Sequence, residues 1–331
     1  MKAASYEVTG TARDALRVGE RPAPHPGPGE VRVRLAYSGV NLVDLKRRAG
    51  LFGPVQFPFV IPHDDGAGEI DAVGHGVAAA RVGERVYVYN AQVVRDSVYR
   101  QYGTAAEFTC VPAAQAVALP AATPFELGAS LGVNAMTAHR ALFSDGPVDG
   151  RVVLIAGGAG GVGRAAIQLA KWAGARVIAT VGDDRQRALA TRLGADVVLP
   201  FREPGLPAML RDASGGDGFD RIVEVECGAN VAMDAALLKP NGTIAAYSSD
   251  ADAYPKLPFW ELAFVAANVR VLSVYILPEA ARAAAIRDVH AALEAGALVE
   301  PVATTFPLDR IAEAHEAAAD KPRGKVLVQI D

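Results

Sequence analysis

The segment Val152-Val153-Leu154-Ile155-Ala156-Gly157-Gly158-Ala159-Gly160-Gly161-Val162-Gly163, running on into Arg164-Ala165-Ala166-Ile167-Gln168-Leu169-Ala170, limits the possible folds more than any other. A β-branched apolar run enters the glycines and an alanine-rich helical pattern leaves them. Gly158, Gly160 and Gly163 thus satisfy G-x-G-x-x-G inside a strand-turn-helix. Glycine permits the tight turn and lets the backbone approach a ligand closely. Unbonded N–H groups and the positive end of the following helix then favour an anion. The turn Gly158, Ala159, Gly160, Gly161, Val162 and Gly163 is read as a grip for the pyrophosphate of a dinucleotide, with a bare strand-helix turn as the alternative.

Up to about residue 120 the sequence shows short strands between Gly/Pro turns, at Ala15 to Glu20, Glu30 to Tyr37, Gly68 to Val73, Arg85 to Tyr89 and Glu107 to Val111, a β-rich, barrel-like pattern. From Pro124 helices alternate with apolar strands at Val152 to Ala156, Arg176 to Val181, Val197 to Leu199, Ile222 to Val225, Thr243 to Tyr247 and Val269 to Tyr275. Such alternation predicts parallel crossovers and a Rossmann sheet, with helices at Asp184 to Leu193, Asn230 to Leu238 and Phe259 to Ala266. The tail breaks the alternation. A helix from Pro278 to Ala295, a strand near Val299 to Thr304, a helix from Leu308 to Ala319 and a strand from Lys325 to Ile330 are expected to return to the first module. The expected class is α/β, a doubly wound parallel sheet (124–277) inserted in a β-barrel domain formed by 1–123 and 278–331.

With 331 residues, 51% of them hydrophobic, the chain has room for about two domains and a sizeable core. A net charge of −4 and no dense Lys/Arg block argue against a nucleic-acid surface and favour a small-molecule partner. The N-terminus starts like a strand without a secretory core, and no apolar stretch is long enough for a bilayer. Cys110 and Cys227 give no disulfide framework and read as buried fillers, which agrees with a cytoplasmic location.

NAD-binding Rossmann domains end the second strand on an acidic side chain, about 20 residues past the turn, for the ribose hydroxyls. Here the strand Arg176 to Val181 ends in Thr180 and Val181, followed by Gly182, Asp183, Asp184, Arg185, Gln186 and Arg187. A carboxylate at the tip would repel a 2′-phosphate, whereas Arg185 or Arg187 would attract one, so Val181 at the tip favours NADPH. Asp183 and Asp184 have a helix-capping role and a ribose-binding role open to them.

Taken together, these residues resemble the medium-chain dehydrogenase/reductase superfamily and, within it, the zinc-independent quinone oxidoreductases related to zeta-crystallin. The resemblance covers nearly the whole chain. It rests on Gly39-Val40-Asn41-Leu42-Val43-Asp44-Leu45-Lys46-Arg47-Arg48-Ala49-Gly50, on Asp65-Gly66-Ala67-Gly68, Val82-Gly83-Glu84-Arg85-Val86 and Gly103-Thr104-Ala105-Ala106-Glu107-Phe108, on the glycine turn, and on Gly324-Lys325-Val326-Leu327. It implies a GroES-like barrel completed by the tail, with the Rossmann domain between, and commonly a homodimer or homotetramer. Zinc alcohol dehydrogenases place a cysteine ligand where this chain has Asn41 and a histidine where it has Asp64. Their four-cysteine lobe would fall near Asn90 to Gly103, where no cysteine occurs. His63, Asp64 and Asp65 are the one local cluster resembling a ligand set, and lack the soft partners structural zinc takes. No metal is expected.

Without a Lewis acid, acceptors already activated by conjugation fit best: a quinone or an α,β-unsaturated carbonyl. The resemblance implies Asn41 as a donor near the substrate oxygen, with Asp44 and Arg48 pairing to hold its segment. A turn amide is the alternative for Asn41. Lys46 and Phe52 stand where relatives often carry tyrosines, so a tyrosine proton donor does not carry over to either position. Lys46 is a substitute candidate or a solvated lysine. Tyr87, Tyr89 and Asn90 either reach the site or fill core. On the cofactor side Asn134 and Thr137 fall on a helix resembling the family's nicotinamide contact. Tyr247, Ser248 and Ser249 follow the fifth nucleotide-domain strand, and Arg323 and Lys325 are candidates for a phosphate or an ordinary solvated pair. The reading is an NADPH-dependent quinone reductase, with an enoyl or alkenal reductase as its rival. A non-catalytic NADPH-binding, crystallin-like protein is the alternative of another class.

Overall fold

The alternation of β-branched strands with alanine-rich helices closes, in a computed structural model that describes residues 1–94, 98–320 and 322–330, into a six-stranded parallel sheet. Its strands are Val152–Ile155, Arg176–Val181, Val197–Pro200, Phe219–Glu224, Leu238–Ala246 and Asn268–Val271. Across the sheet they stand third, second, first, fourth, fifth, sixth, the doubly wound order that puts the first strand's glycine turn at the reversal point. Strands covered on both faces read as continuous apolar runs, and Val153, Leu154, Ile155, Val177, Ile178 and Ala179 are all buried. This sheet lies in one compact unit, Asn134–Val299.

The other unit, Met1–Val133 with Glu300–Asp331, is built around the long strand Glu30–Val40. Val31, Val33 and Leu35 alternate inward along it, as a strand with one buried face requires. Asp65–Val73, Phe108–Pro112 and Lys325–Gln329 all pair with it antiparallel. The tail strand sets Leu327 opposite Gly39 and Val326 opposite Val40, which brings Lys325 to the start of helix Leu42–Ala49. Gly39 has to be glycine: a Cβ there would lie 1.9 Å from the Ala129 carbonyl oxygen and 2.8 Å from Lys325 Cε.

Several sequence expectations shift. The division between units falls inside helix Phe125–Phe143, and helix Glu279–Glu294 groups with the Rossmann unit although the sequence ended that domain at 277. Its Val289 and Ala292 are fully buried, so an alanine-rich apolar face rather than a change of pattern decides where it packs. The last strand stops at Val271, because Ser273 Oγ accepts the Tyr275 N–H at 3.4 Å and caps a 3-10 turn, Val274–Ile276. Near the N-terminus Thr11 caps a short helix, Ala12–Ala15, and the strand expected from Ala15 begins at Arg17. Residues 95–97, inside the stretch Asn90 to Gly103, lie outside the described residues.

Candidate active site

The glycine turn is shaped by contacts that leave little room for side chains. Gly157 takes φ +68°, its N–H donates to Thr180 Oγ1 at 3.2 Å, and the Gly158 N–H donates to the Thr180 carbonyl at 2.8 Å. A Cβ on Gly163 would sit 2.2 Å from the Gly157 carbonyl oxygen, and one on Gly158 would sit 2.8 Å from Ala179 Cβ. Gly160, the N-cap of helix Gly161–Trp172, is exposed and its imaginary Cβ meets only the Gly157 carbonyl oxygen, at 3.3 Å. The first-turn N–H groups of a helix have no intrahelical partner, so this exposed rim presents donors and a positive dipole end with little besides glycine around Gly160. Those features fit a pyrophosphate. Within the same unit the Asn134 amide closes on the turn: a Cβ on Gly161 would lie 2.6 Å from Asn134 Oδ1. Thr137 is buried one turn further along the helix.

At the tip of the second strand Val181 is buried. The Asp183 carboxylate accepts the Gln186 N–H at 2.8 Å and caps helix Asp184–Arg192, the first of its two expected roles. Arg185 is exposed beside it. Arg187 donates to the Val198 carbonyl at 3.0 Å and lies 3.5 Å from Asp184. Arg202 does reach the tip, donating to the Gly182 carbonyl at 3.4 Å and stacking on Phe201. The strand order makes this legible, since the third strand neighbours the second and a cation just beyond it arrives at the same edge. Ser248 and Ser249 hold their own loop: the Ser248 carbonyl accepts the Cys227 N–H at 3.1 Å and Ser249 Oγ accepts the Gly228 N–H at 2.8 Å. Tyr247 donates its backbone N–H to the Glu224 carbonyl, and burial pushes its phenol up.

In the barrel unit Asn41 starts helix Leu42–Ala49, where the Asp44 carboxylate accepts its backbone N–H at 2.8 Å. Its amide orientation is fixed from both ends. Nδ2 donates to Asp65 Oδ2 at 2.7 Å, and Oδ1 accepts from Lys325 Nζ at 2.6 Å. Lys325 lies 3.5 Å from Asp65 with its side chain 3% exposed, so it belongs to this network and not to a solvated or phosphate-binding pair. Arg323, two residues before it, is exposed. Asp65 also accepts the Val133 N–H at 2.9 Å. Burial pushes its carboxyl up to about 6, against the pull of Lys325 and Asn41. Because a primary amide carries two N–H groups, Asn41 keeps one donor beyond the bond to Asp65.

Asp44 faces Arg47, at 3.6 Å, and not Arg48, which corrects the expected pair. Burial, then the neighbouring Asp64, holds the Asp44 carboxyl well above the usual range. Arg47 was missed in the sequence. Its guanidinium donates to Asp64 Oδ2 at 3.1 Å and to Gln92 Oε1 at 2.6 Å, and Asp64 Oδ1 accepts the Gln92 N–H. The histidine-ligand position of zinc alcohol dehydrogenases is thus an aspartate with an arginine against it. Among the described residues no group of three or more His, Cys, Asp or Glu is arranged to hold a metal ion.

Arg48 instead donates to the Gly10 carbonyl and, at 3.4 Å, to His315 Nδ1. Since arginine only donates, His315 carries its proton on Nε2 and gives it to His63 Nε2 at 2.9 Å. His63 Nδ1–H then donates to Ser38 at 2.7 Å, Ser38 to Thr104, and Thr104 to the Asp65 carbonyl at 2.6 Å. This one-way chain needs both rings neutral. Burial and each ring's charged neighbours supply that, holding His63 well below the ordinary histidine range and His315 down to about 3. Lys46 is half-buried, Phe52 about half exposed at the rim of a pocket, and Tyr87 and Tyr89 are core, with the Tyr89 hydroxyl donating to the Ala114 carbonyl.

Residues 27–121 match the alcohol dehydrogenase GroES-like domain and residues 161–290 the zinc-binding dehydrogenase family. The human quinone oxidoreductase is 29% identical over 299 residues, covering 88% of this chain and 86% of that protein. An NAD-dependent alcohol dehydrogenase structure superposes with a TM-score of 0.89 at 28% identity, covering 100% of both chains. A mycobacterial protein solved with NADPH gives 0.85 at 28% identity, covering 99% of this chain and 100% of that one. The chain belongs to the medium-chain dehydrogenase/reductase superfamily, as a member of its quinone-oxidoreductase type. Its class is that of an oxidoreductase with a Rossmann domain inserted in a GroES-like one.

Proposed function

We propose that the protein reduces quinones or related conjugated carbonyls with NADPH and without a metal. The observation that carries the reading is the joint make-up of the two units: a glycine-built anion rim in one, and in the other an amide donor locked by Lys325 and Asp65 where zinc relatives keep a ligand. A bound reduced nicotinamide would supply the hydride. This chain's residues do the rest. Gly158 to Gly163 hold the pyrophosphate, and Asn134 lies against the turn where it orients the ring-bearing half. The remaining Asn41 N–H stabilises the oxygen on which charge develops. Conjugation in the acceptor removes the need for a Lewis acid. Replacing Asn41 with alanine should lower kcat/KM about 100- to 1,000-fold, the usual cost of one oxyanion donor, with nucleotide affinity unchanged. Steady-state kinetics with a quinone checks this, and full activity would exclude the role.

NADPH is preferred over NADH in this reading because the second strand ends on buried Val181, Asp183 is spent on a helix cap, and Arg185 and Arg202 stand at the same edge. Replacing both arginines with alanine should raise KM for NADPH tenfold or more while leaving KM for NADH within twofold, given the strength of charge-assisted phosphate contacts. Equal changes with both nucleotides would reject the assignment.

The Rossmann sheet ends on the open strand Asn268–Val271, beside exposed Phe259, Trp260, Phe264 and Ile276. An apolar edge of this kind invites pairing with a second copy, which supports a homodimer or homotetramer. Val271, 82% exposed, is the test position. Val271→Asp should shift the mass measured by light scattering toward the monomer, and an unchanged mass would place the interface elsewhere.

A further inference from the structure

A narrow pocket lies wholly within the barrel unit, lined among others by Tyr6, Arg47, Phe52, Phe57, Gln92 and Tyr99. It encloses about 400 Å³ of empty space counting its open mouth, a slot with aromatic side chains on its walls. The strand segment carrying Tyr6 is pinned, since its backbone N–H and carbonyl exchange hydrogen bonds of 2.9 and 2.8 Å with Val60. The Tyr6 side chain is nearly buried, and its hydroxyl has no hydrogen-bond partner among the described residues. The hydroxyl therefore stands open on the pocket wall as a donor for a ligand.

The surroundings specify what that ligand is. Burial pushes the phenol up to about 12, with Arg47 pulling it down, so it stays protonated and able to donate throughout the neutral range. Arg47, whose guanidinium lies 5.5 Å over the Tyr99 ring, is balanced by Asp64 at 3.1 Å, and both ends of the Gln92 amide are used, by Arg47 and by the Ile61 carbonyl. With Arg47 balanced by Asp64 and Arg100, also on the wall, by Glu30, the wall offers hydroxyl and guanidinium donors without surplus positive charge, which suits a carbonyl oxygen better than a carboxylate. Aromatic faces at Phe52, Phe57 and Tyr99 suit a planar ring.

We infer that the Tyr6 hydroxyl donates the hydrogen bond that seats the carbonyl oxygen of an uncharged, flat quinone in this slot. The inference rests on the quinone-reductase reading and adds to it the residue and the substrate shape. The test is calorimetric titration of tetramethyl-1,4-benzoquinone, whose fully substituted ring does not alkylate thiols, into the full chain saturated with NADP⁺. Both partners are oxidised, so the heat reports binding alone. Tyr6→Phe keeps the ring and removes the donor. It should raise the quinone Kd five- to tenfold, the worth of a neutral hydrogen bond, and leave NADP⁺ affinity and thermal stability as in wild type. A Kd equal to wild type would overturn the Tyr6 assignment while leaving the quinone reading standing. Wild-type protein that neither binds nor reduces the quinone would defeat that reading, and this inference with it.

Discussion

Lys325→Met is expected to destabilise the protein by about 3–5 kcal/mol at neutral pH, the range for removing one partner of a buried ion pair. The methionine fills similar volume, so the loss is electrostatic: Asp65, fully buried, loses its counter-charge, and the Asn41 carbonyl loses its donor. The deficit should depend on pH in a definite direction. Asp65 already has its carboxyl raised to about 6 in the folded state, and removing Lys325 raises it further. A carboxyl raised on folding favours the folded state while it is protonated, below the unfolded value near 4, and loses that contribution as pH rises through the folded value. The gap between variant and wild type should therefore be small near pH 5 and wide at pH 8. Parallel urea unfolding at the two pH values measures it, and a gap that stays constant would mean that Asp65 is not the group left uncompensated.

Gly160→Asp is expected to raise the Kd for NADPH at least about 100-fold with little change in folding stability. The two halves of that expectation have separate origins. Gly160 has φ −70° and ψ 165°, an extended N-cap geometry in which aspartate is among the preferred residues, and its Cβ would meet only one atom, at 3.3 Å. The fold thus accepts the carboxylate. The nucleotide does not, because the new charge stands on the rim where the pyrophosphate is proposed to lie. Gly163→Ala would make a poorer test, since its Cβ would strike the Gly157 carbonyl at 2.2 Å and confuse loss of shape with loss of affinity. Fluorescence titration of NADPH, with a thermal melt beside it, checks both halves. Wild-type affinity in Gly160→Asp would move the pyrophosphate elsewhere.

The Rossmann unit was largely legible because its signals are local. A β-branched run, a glycine turn and an alanine-rich helix each follow from neighbouring residues, and the doubly wound order follows from their alternation. What stayed hidden depends on residues far apart in the chain. Lys325 reaches Asn41 across 284 positions, and His63 meets His315 across 252, both through the tail strand and helix that rejoin the barrel. Nothing in the spacing of one lysine reveals that it will be buried against an amide. Arg47 and Arg48 show the same limit at close range. Adjacent residues on one helix point in different directions, so the choice between them as a partner for Asp44 turned on a rotation of about 100° per residue that the motif does not specify. Arg202 was within reach, because strand order alone sets it at the edge of Gly182.

The central claim is that a reduced pyridine nucleotide gripped at Gly158 to Gly163 delivers its electrons to a conjugated acceptor with no metal required. The most direct measurement is nicotinamide oxidation by chelator-treated, zinc-free protein given NADPH or NADH and a panel of quinones, enones and simple aldehydes. The expected result is turnover of quinones or enones with NADPH, unchanged when zinc is added and absent with simple aldehydes. Turnover that appears only on adding zinc, or only with unconjugated carbonyls, would contradict it.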